Sequence, residues 1–511
     1  MTTPIIESIE SIESIDSIAA TAAAAAPLFA ATAPRARAVA LVTVADLLIA
    51  NADDLITVGM SETGLSEQRL RGELKRTAVQ LRLFAEAIAD GAYLDVRIDR
   101  SDPEFALGAR PDLRRSLIPR GPVLNYAGSN FPFAFSVAGG DSAAALAAGC
   151  PVILKVHSGH PLLSEATGAI VIAGLAAAGM PEGTFQLVAG QANGVALLKD
   201  DRIRAGSFTG SLRAGRLLAD LAAARPRPIP FFGELGSVNP VYALPSFFRS
   251  DADTAALAIG YASSVAGSAG QLCTKPGFLF VPATSLDAVA SATASAVTNV
   301  PEHRLLNPSI AAGFSARREV ILSTPGITIV APGSLRTDSE EHVWATPTIV
   351  ATNTEALELA GETLLDEAFG PLSIVVGYQD ESELASLVER LFPGNLTSTV
   401  YAAADDSTTT LTELFDILTE TSGRVLFGGW PTGVAVTPAM HHGGPWPATT
   451  SDNGTSVGTA AITRFLRAVA YQDTPQELLP PELRDDNPWG VPQNIAAAGE
   501  SVSWGDSFNV A

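Results

Sequence analysis

Residues 121–156 read GPVLNYAGSNFPFAFSVAGGDSAAALAAGCPVILKV, and they determine the class of fold. Short apolar runs at 121–126 and 151–156 predict two buried strands, and the alanine-rich segment 137–149 predicts a helix between them. This order of strand, helix and strand indicates a parallel, doubly wound sheet that binds a ligand at the carboxyl ends of its strands. The same alternation continues through predicted helices and strands at 162–178, 184–188, 204–208 and 212–224.

The chain is too long for one hydrophobic core, because 511 residues correspond to two or three domains. We predict a nucleotide-binding α/β domain at 35–235, a second α/β domain at 236–430, and a closing segment at 431–511 that returns to the first domain. Two strand-like runs within about 93–120 predict an arm that seeks the sheet edge of another subunit. Residues 1–34, which repeat Ile, Glu and Ser, are predicted to form a disordered, low-complexity tail.

The composition argues against several classes of partner. With 54 acidic and 32 basic residues the formal net charge is −22, which repels nucleic acid and anionic lipid. Two cysteines cannot form a disulfide framework and no Cys/His pattern has metal-ligand spacing, so we expect reduced thiols, no metal and a cytoplasmic location. No apolar run is long enough to predict a membrane span.

One of the two cysteines, Cys273, lies in the sequence GQLCTKPG at 270–277. Small neighbours leave its sulfur accessible, and backbone N–H groups with the nearby cation of Lys275 are expected to favour the thiolate, which is the nucleophilic form. A loop between a helix and a strand is a usual place for a catalytic residue. The alternative is a buried structural thiol, because free cysteine is among the most buried residue types.

Glu234 and Asn130 are the other candidates for chemistry. Glu234 lies between glycine and apolar residues, where loss of water raises the pKa of a carboxyl group towards the range of a general base. Asn130 follows a predicted strand and can present its amide N–H to a developing oxyanion. Taken alone, each has an ordinary alternative: a glutamate at a helix start and an asparagine that caps a helix or forms a turn.

Candidate nucleotide ligands follow the predicted strands. Lys155 ends a buried strand and Ser158 follows it, where the ribose hydroxyls or a phosphate of a nucleotide would lie. Gly210, Ser211 and Gly215 occupy a turn and the first part of a helix, an arrangement that points N–H groups at a pyrophosphate. The spacing is not the G-x-G-x-x-G pattern, and a solvated lysine at a strand end is an equally ordinary reading.

A later stretch, DEAFGP at 366–371, supplies two further candidates. The carboxylate of Glu367 can accept hydrogen bonds from ribose hydroxyls, and the ring of Phe369 can form one wall of a nicotinamide site. The alternative is an ordinary loop that leads into the apolar strand predicted at 372–376.

In order and spacing these stretches resemble the aldehyde dehydrogenase superfamily, from about residue 42 to residue 472. Glu234 precedes Cys273 by 39 positions, a separation that fits the general base and the nucleophile of that family. The late stretch from 431 to 459 resembles the branch that contains 2-oxoglutarate semialdehyde (2,5-dioxopentanoate) dehydrogenases and some NADP-preferring fatty aldehyde dehydrogenases. The motifs that carry the resemblance are SNFP at 129–132, Lys155, FTGS at 208–211, ELG at 234–236, GQLCT at 270–274 and EAFGP at 367–371.

The resemblance implies an aldehyde dehydrogenase-like fold, with a Rossmann-type cofactor domain, an α/β catalytic domain and a strand arm for oligomerisation as a homodimer or homotetramer. It implies oxidation of an aldehyde through a thioester on Cys273, with Asn130 in the oxyanion site and Glu234 activating water. The cofactor is expected to be NADP or NAD. Residues 190–194 lack an arginine that some NADP-preferring relatives carry, so the sequence leaves this choice open.

The expected substrate is 2-oxoglutarate semialdehyde, with a long-chain fatty aldehyde as the alternative. A second alternative is acyl transfer to coenzyme A in place of water, against which the presence of Glu234 argues. A third is a catalytically silent binding or assembly protein, against which the set of Cys273, Glu234 and Asn130 argues. A dicarboxylate semialdehyde requires an arginine or a cluster of N–H groups at the far end of its tunnel, which the sequence does not locate.

Overall fold

The computed structural model describes residues 14–406 and 408–508. The helices, in chain order, are α1 (Ile15–Ala30), α2 (Pro34–Ala50), α3 (Ala52–Thr63), α4 (Glu67–Ala89), α5 (Gly140–Ala148), α6 (Pro161–Ala177), α7 (Gln191–Lys199), α8 (Leu212–Ala223), α9 (Asp251–Ala266), α10 (Leu286–Val297), α11 (Pro308–Ser323), α12 (Thr354–Ala360), α13 (Glu362–Leu365), α14 (Leu384–Leu391) and α15 (Thr409–Thr421). The strands are β1 (Val96–Asp99), β2 (Leu113–Pro119), β3 (Val123–Tyr126), β4 (Val152–Lys155), β5 (Phe185–Val188), β6 (Ala205–Thr209), β7 (Phe231–Glu234), β8 (Val241–Ala243), β9 (Phe278–Pro282), β10 (His303–Arg304), β11 (Thr328–Ala331), β12 (Leu335–Thr337), β13 (Val343–Ala345), β14 (Thr348–Asn353), β15 (Leu372–Tyr378), β16 (Asn395–Tyr401), β17 (Ser422–Phe427), β18 (Leu466–Gln472) and β19 (Gln493–Ala496).

The first sheet is parallel and has five strands in the order β5-β4-β3-β6-β7. The strand order departs in both directions from β3, as expected for a doubly wound sheet. Its register places Lys155 opposite Tyr126, Tyr126 opposite Phe208, and Thr209 opposite Glu234. The candidate residues that follow these strands therefore share the carboxyl edge of one sheet.

The second sheet has seven strands in the order β11-β14-β15-β9-β8-β16-β17 and is parallel except for β11. Its central strands are mainly apolar, and all five residues of β9 and all seven residues of β15 are buried. Both faces of a parallel sheet are covered by helices, which explains these continuous apolar runs. The predicted division near residue 235 falls between β7 of the first sheet and β8 of the second.

The predicted arm is a separate four-stranded sheet with the order β18-β2-β1-β19. The antiparallel pairing of β1 with β2 agrees with the prediction, and the late strands β18 and β19 cover the two sides of this pair. Within the described ranges, β18 and β19 are the edges of the sheet. A fourth sheet, which is antiparallel and has the order β10-β13-β12, packs on the second domain.

The prediction of a disordered tail at 1–34 is wrong for residues 15–30, which form the helix α1. The hydroxyl of Ser14 caps this helix, and Ile18, Ala19 and Ala22 pack under the first sheet. The prediction weighed the three-residue isoleucine spacing and overlooked the alanine run, whose high helix propensity and small side chains allow close packing. Residues 1–13 lie outside the described part of the chain.

Two local differences concern the edge of the first sheet. Helix α5 begins at Gly140, three residues after the predicted start, because the backbone of Gly139 is extended, with φ −111° and ψ −177°. The segment 191–199, for which no element was predicted, is the helix α7. Among the described residues, no helix combines the length and the apolar character that a membrane crossing requires.

Candidate active site

The loop that carries Cys273 is fixed by unusual backbone geometry. Ser268, Ala269 and Gly270 have φ values of 51°, 53° and 63°, so the chain turns through the left-handed region after α9. A Cβ atom at Gly270 would lie 2.3 Å from the carbonyl oxygen of Gly370, which only glycine avoids. This close approach joins the cysteine loop to the segment that contains Glu367.

Asn239 holds the same loop from the other side. Its amide nitrogen donates to the carbonyl oxygens of Cys273, at 2.8 Å, and Lys275, at 3.0 Å. Its side-chain oxygen accepts a hydrogen bond from Ser237 at 2.9 Å, and the residue is fully buried with a φ of 46°. An asparagine in the left-handed region that satisfies backbone carbonyls is a structural support for the nucleophile. The sequence shows an asparagine before a proline at 239–240, but it does not show that the asparagine side chain binds the backbone of the cysteine loop.

Asn130 lies beside the cysteine loop. Its amide nitrogen donates to the carbonyl oxygen of Gln271 at 3.0 Å, two residues before Cys273. The residue is buried, and its own carbonyl accepts from Arg69 at 3.3 Å. An amide has two N–H donors, so one of them remains for a substrate oxygen.

Glu234 is a buried carboxylate at the end of β7. Its Oε1 atom lies 4.0 Å from Nη1 of Arg464, whereas Oε2 has no hydrogen-bond partner in the part of the chain that the structure describes. Arg464 is itself paired with the buried Asp141. Burial raises the pKa of Glu234 to about 8, against the effect of Arg464 and with the support of the Asp141 charge. A carboxyl group with such a pKa suits proton transfer near neutrality.

The sulfur of Cys273 is half-buried and lies 3.6 Å from Nε2 of His442. His442 is buried in the Gly-rich stretch after β17, and its carbonyl oxygen accepts a hydrogen bond from the N–H of Ser456 at 2.9 Å. The Ser456 hydroxyl donates to the same carbonyl oxygen at 3.2 Å, and it counteracts part of the rise in the pKa of Glu234. His442 therefore contacts the nucleophile directly, a role that the sequence motif HHGG did not indicate.

The sequence analysis predicted that the cation of Lys275 favours the thiolate of Cys273. This prediction is wrong, because the side chain of Lys275 is hydrogen-bonded elsewhere. The ammonium group of Lys275 is buried and donates to the carbonyl oxygens of Ala368, at 3.0 Å, and Leu372, at 2.7 Å. Burial, reinforced by the charges of Glu234 and Glu367, raises the pKa of Cys273 to about 12. A thiol with a raised pKa requires a base that accepts its proton before it can act as a nucleophile.

Glu367 is half-buried and lies between the two sheets. Burial raises the pKa of its carboxyl group, against the effect of the Lys275 charge and of the Ser237 N–H. Its Oε2 atom lies over Gly236, where an added Cβ would come within 2.5 Å. Phe369 is also half-buried, in the loop between α13 and β15. Both residues adjoin the cysteine loop through Gly370, and their contacts with a cofactor stay predictions.

The residues at the carboxyl edge of the first sheet fit a dinucleotide. Lys155 is half-buried at the end of β4, where burial lowers its pKa, and Ser158 is exposed in the turn that follows. Gly210 and Ser211 are exposed between β6 and α8, and Ser211 caps that helix. A Cβ atom at Gly210 would lie 2.6 Å from the ring of Phe208, so the turn requires glycine.

Gly215 lies where α8 packs closely against the neighbouring chain. A Cβ atom there would lie 2.1 Å from Leu235, because α8 packs closely against the segment that follows Glu234. Its contact with a cofactor stays a prediction. In the described ranges, no group of three or more His, Cys, Asp or Glu side chains is placed to hold a metal ion.

Replacement of Asn130 by alanine is expected to lower kcat by on the order of 10²–10³, because an oxyanion donor would be lost beside Cys273. Rates of aldehyde-dependent NAD(P)H formation measure this effect. The matched control is Asn51→Ala, which removes a side-chain amide that donates to the carbonyl oxygen of Leu47 at the end of α2, outside the candidate site. An unchanged kcat in Asn130→Ala would contradict the assignment of the oxyanion site.

Comparison with known families gives one broad match. The profile described as the aldehyde dehydrogenase family matches residues 8–468. Alpha-ketoglutaric semialdehyde dehydrogenase 2 of Azospirillum brasilense is 41% identical over 90% of this chain and 86% of its own length. Alpha-ketoglutaric semialdehyde dehydrogenase of Acinetobacter baylyi is 41% identical over 84% of this chain and 81% of its own length.

Solved structures share the fold at lower identity. Betaine aldehyde dehydrogenase of Staphylococcus aureus, in a complex with NAD⁺, has a TM-score of 0.75 and 18% identity, over 89% of this chain and 87% of that chain. 1-Pyrroline-5-carboxylate dehydrogenase from Thermus, with bound NAD, has a TM-score of 0.75 and 19% identity, over 90% and 85%. These two likenesses establish the fold.

Proposed function

Because this chain belongs to the aldehyde dehydrogenase family, we propose that it oxidises 2-oxoglutarate semialdehyde to 2-oxoglutarate, with NAD or NADP, through a thioester on Cys273. Two relatives at 41% identity that carry this semialdehyde in their names support the choice of substrate. The observation that carries the mechanism is the meeting of Cys273, Asn130 and Glu234 in one site, with Glu234 and Cys273 close enough to shift the pKa of the thiol.

The first step forms a bond between the sulfur of Cys273 and the aldehyde carbon. The thiol gives up its proton to a neighbouring base, for which the Nε2 atom of His442 is placed at 3.6 Å. Asn130 and the N–H of Cys273 stabilise the oxyanion of the resulting thiohemiacetal. A bound nicotinamide would accept the hydride that this adduct gives up, and an acyl thioester would remain on Cys273.

The second step hydrolyses the thioester. Glu234 removes a proton from water, the hydroxide adds to the acyl carbon, and the Cys273 thiolate leaves as the carboxylic acid forms. Lys155, Ser158, Gly210 and Ser211 would hold the nucleotide at the carboxyl edge of the first sheet. Glu367 and Phe369 would hold the ribose and the nicotinamide ring.

The substrate is tested by NAD(P)H formation with a panel of semialdehydes and long-chain aldehydes, each with both cofactors. We expect kcat/KM for 2-oxoglutarate semialdehyde to exceed that for a long-chain aldehyde by roughly 100-fold or more, because a site built for a polar group rejects analogues without it. A preference for the long-chain aldehyde would favour the fatty aldehyde alternative. Dependence on coenzyme A would contradict release of the acid by water.

We also propose that the protein forms a homodimer or homotetramer through its arm. The outer strands β18 and β19 present sheet edges within the described chain, and an exposed edge is a usual site of strand pairing between subunits. A cytoplasmic location remains part of the same proposal, in line with the two free cysteines.

A further inference from the structure

We propose that Arg76 binds the carboxylate of the semialdehyde substrate, an inference that rests on the proposed function and names the residue that selects an anionic aldehyde. Helix α4 carries Arg69, Glu73 and Arg76 at spacings of four and three residues, which place them on one face. This face is directed at the segment that follows Asn130.

Glu73 fixes the helix in this position. Its buried carboxylate accepts hydrogen bonds from the N–H groups of Phe133, at 2.8 Å, and Ala134, at 2.9 Å. Its second oxygen lies 3.3 Å from Nη2 of Arg69. The charge of Glu73 is therefore engaged by backbone N–H groups and by Arg69, and the position of α4 against the active site is set by three contacts.

Arg76 differs from the other arginines around the site. Both of its terminal nitrogens are buried and have no hydrogen-bond partner among the residues described, although Glu73 and Cys273 interact with its charge. Arg69 binds Glu73 and the Asn130 carbonyl, Arg424 donates to Gly433 and Pro431, and Arg464 is paired with Asp141. A buried guanidinium with unused donors costs free energy unless an anion satisfies it.

The surroundings connect Arg76 to both the solvent and the nucleophile. Its guanidinium lies over the ring of Phe135, 5.1 Å from the centroid, and that ring lies 5.9 Å from the ring of His442. His442 in turn contacts the Cys273 sulfur. Arg76 also lines an open cavity of about 450 Å³, together with Arg69, Glu73 and Phe131 among others.

A carboxylate is the ligand that this geometry favours. The planar guanidinium offers two parallel N–H donors, which match the two oxygens of a carboxylate, and the ring of Phe135 holds the plane in place. A short 2-oxo acid semialdehyde places its carboxylate and its aldehyde at opposite ends of one chain. With the carboxylate on Arg76, the aldehyde end is directed along Phe135 towards His442 and Cys273.

The test compares two aldehydes of equal chain length in the complete enzyme with its cofactor. For Arg76→Met, we expect kcat/KM for 2-oxoglutarate semialdehyde to fall roughly 10- to 100-fold, mainly through KM, because a charge-assisted contact is lost. For neutral pentanal, we expect a change of less than about threefold, since pentanal has no carboxylate to lose. Arg76→Lys should restore part of the loss, because it keeps the charge but not the fork.

Lys75→Met is the matched control. Lys75 is exposed and adjacent on the same helix, so its replacement removes one positive charge without changing the site. It should leave both aldehydes unaffected. An equal loss of kcat/KM for both aldehydes in Arg76→Met would show that Arg76 acts on the nucleophile or on folding. An unchanged kcat/KM for the semialdehyde would exclude a contact with the substrate. Either result overturns the proposal.

A binding measurement separates this proposal from the proposed function. Glutarate is titrated calorimetrically into Cys273→Ala and into the double variant Cys273→Ala/Arg76→Met, both with cofactor present. We expect the double variant to bind glutarate roughly 10- to 100-fold more weakly. If this loss occurs but the enzyme does not oxidise 2-oxoglutarate semialdehyde, the proposed substrate is wrong and the role of Arg76 stands; equal binding by both variants overturns the role of Arg76.

Discussion

Replacement of Cys273 by alanine is expected to lower aldehyde oxidation by at least about 10⁴-fold, because no other group can form the thioester. The second cysteine cannot take its place, since Cys150 is fully buried and its sulfur contacts the carbonyl oxygen of Phe465 at 3.4 Å. Cofactor binding should persist, because the candidate nucleotide ligands lie on the first sheet and in the loop of Glu367. Turnover is measured as NAD(P)H formation, and binding of the cofactor by fluorescence or calorimetry.

Cys150→Ala is the matched control for this experiment. It removes the same atom from a site enclosed by the alanine-rich helix α5 and should leave kcat near that of the unmodified enzyme. Full activity in Cys273→Ala would exclude the thioester mechanism. Loss of both activity and cofactor binding would instead indicate that the loop from 268 to 275 has collapsed.

Replacement of Glu234 by glutamine is expected to stop the reaction after its first half. Cys273, Asn130 and the cofactor site remain, so NAD(P)H should form in a burst that approaches one equivalent per active site. Hydrolysis of the thioester then lacks its base, and the steady rate should fall by roughly 10²- to 10⁴-fold. Rapid-mixing absorbance measurements separate the two phases.

The pH dependence gives an independent readout of the same residue. The base acts in its ionised form, and burial raises the pKa of Glu234 to about 8. The steady rate of the unmodified enzyme should therefore rise as the pH increases through about 8, whereas the residual rate of Glu234→Gln should lack this limb. Glu482→Gln is the matched control, because Glu482 is a buried carboxyl with a raised pKa that bonds to Ser116 in the arm. Steady turnover of Glu234→Gln without a burst would contradict the assignment.

Much of the fold can be predicted from the local pattern of apolar and polar residues. The predicted strands at 121–126 and 151–156 correspond to β3 and β4, and the helix predicted at 162–178 corresponds to α6. Such runs are informative because a buried parallel strand must be apolar over its whole length. The prediction did not include helix α1, because this helix is stabilised only when Ile18 and Ala22 pack against the first sheet.

The sequence by itself determined the residue types, their order and their place at strand ends. Glu234 ends β7 and Lys155 ends β4, and the carboxyl ends of parallel strands meet at one edge of the sheet. An amide, a carboxyl group and a nucleophile in that order, within the motifs that surround them, indicate the family and its chemistry.

Only the tertiary structure decided which charges face which groups. Lys275 is two residues from Cys273, yet its ammonium group donates to Ala368 and Leu372. Burial raises the pKa of the thiol, and the charges of Glu234 and Glu367, from distant parts of the chain, add to this effect. Arg76 enters the site from α4 in the same way. Electrostatic effects depend on distance through space and on burial, and neither quantity can be read from separation along the chain.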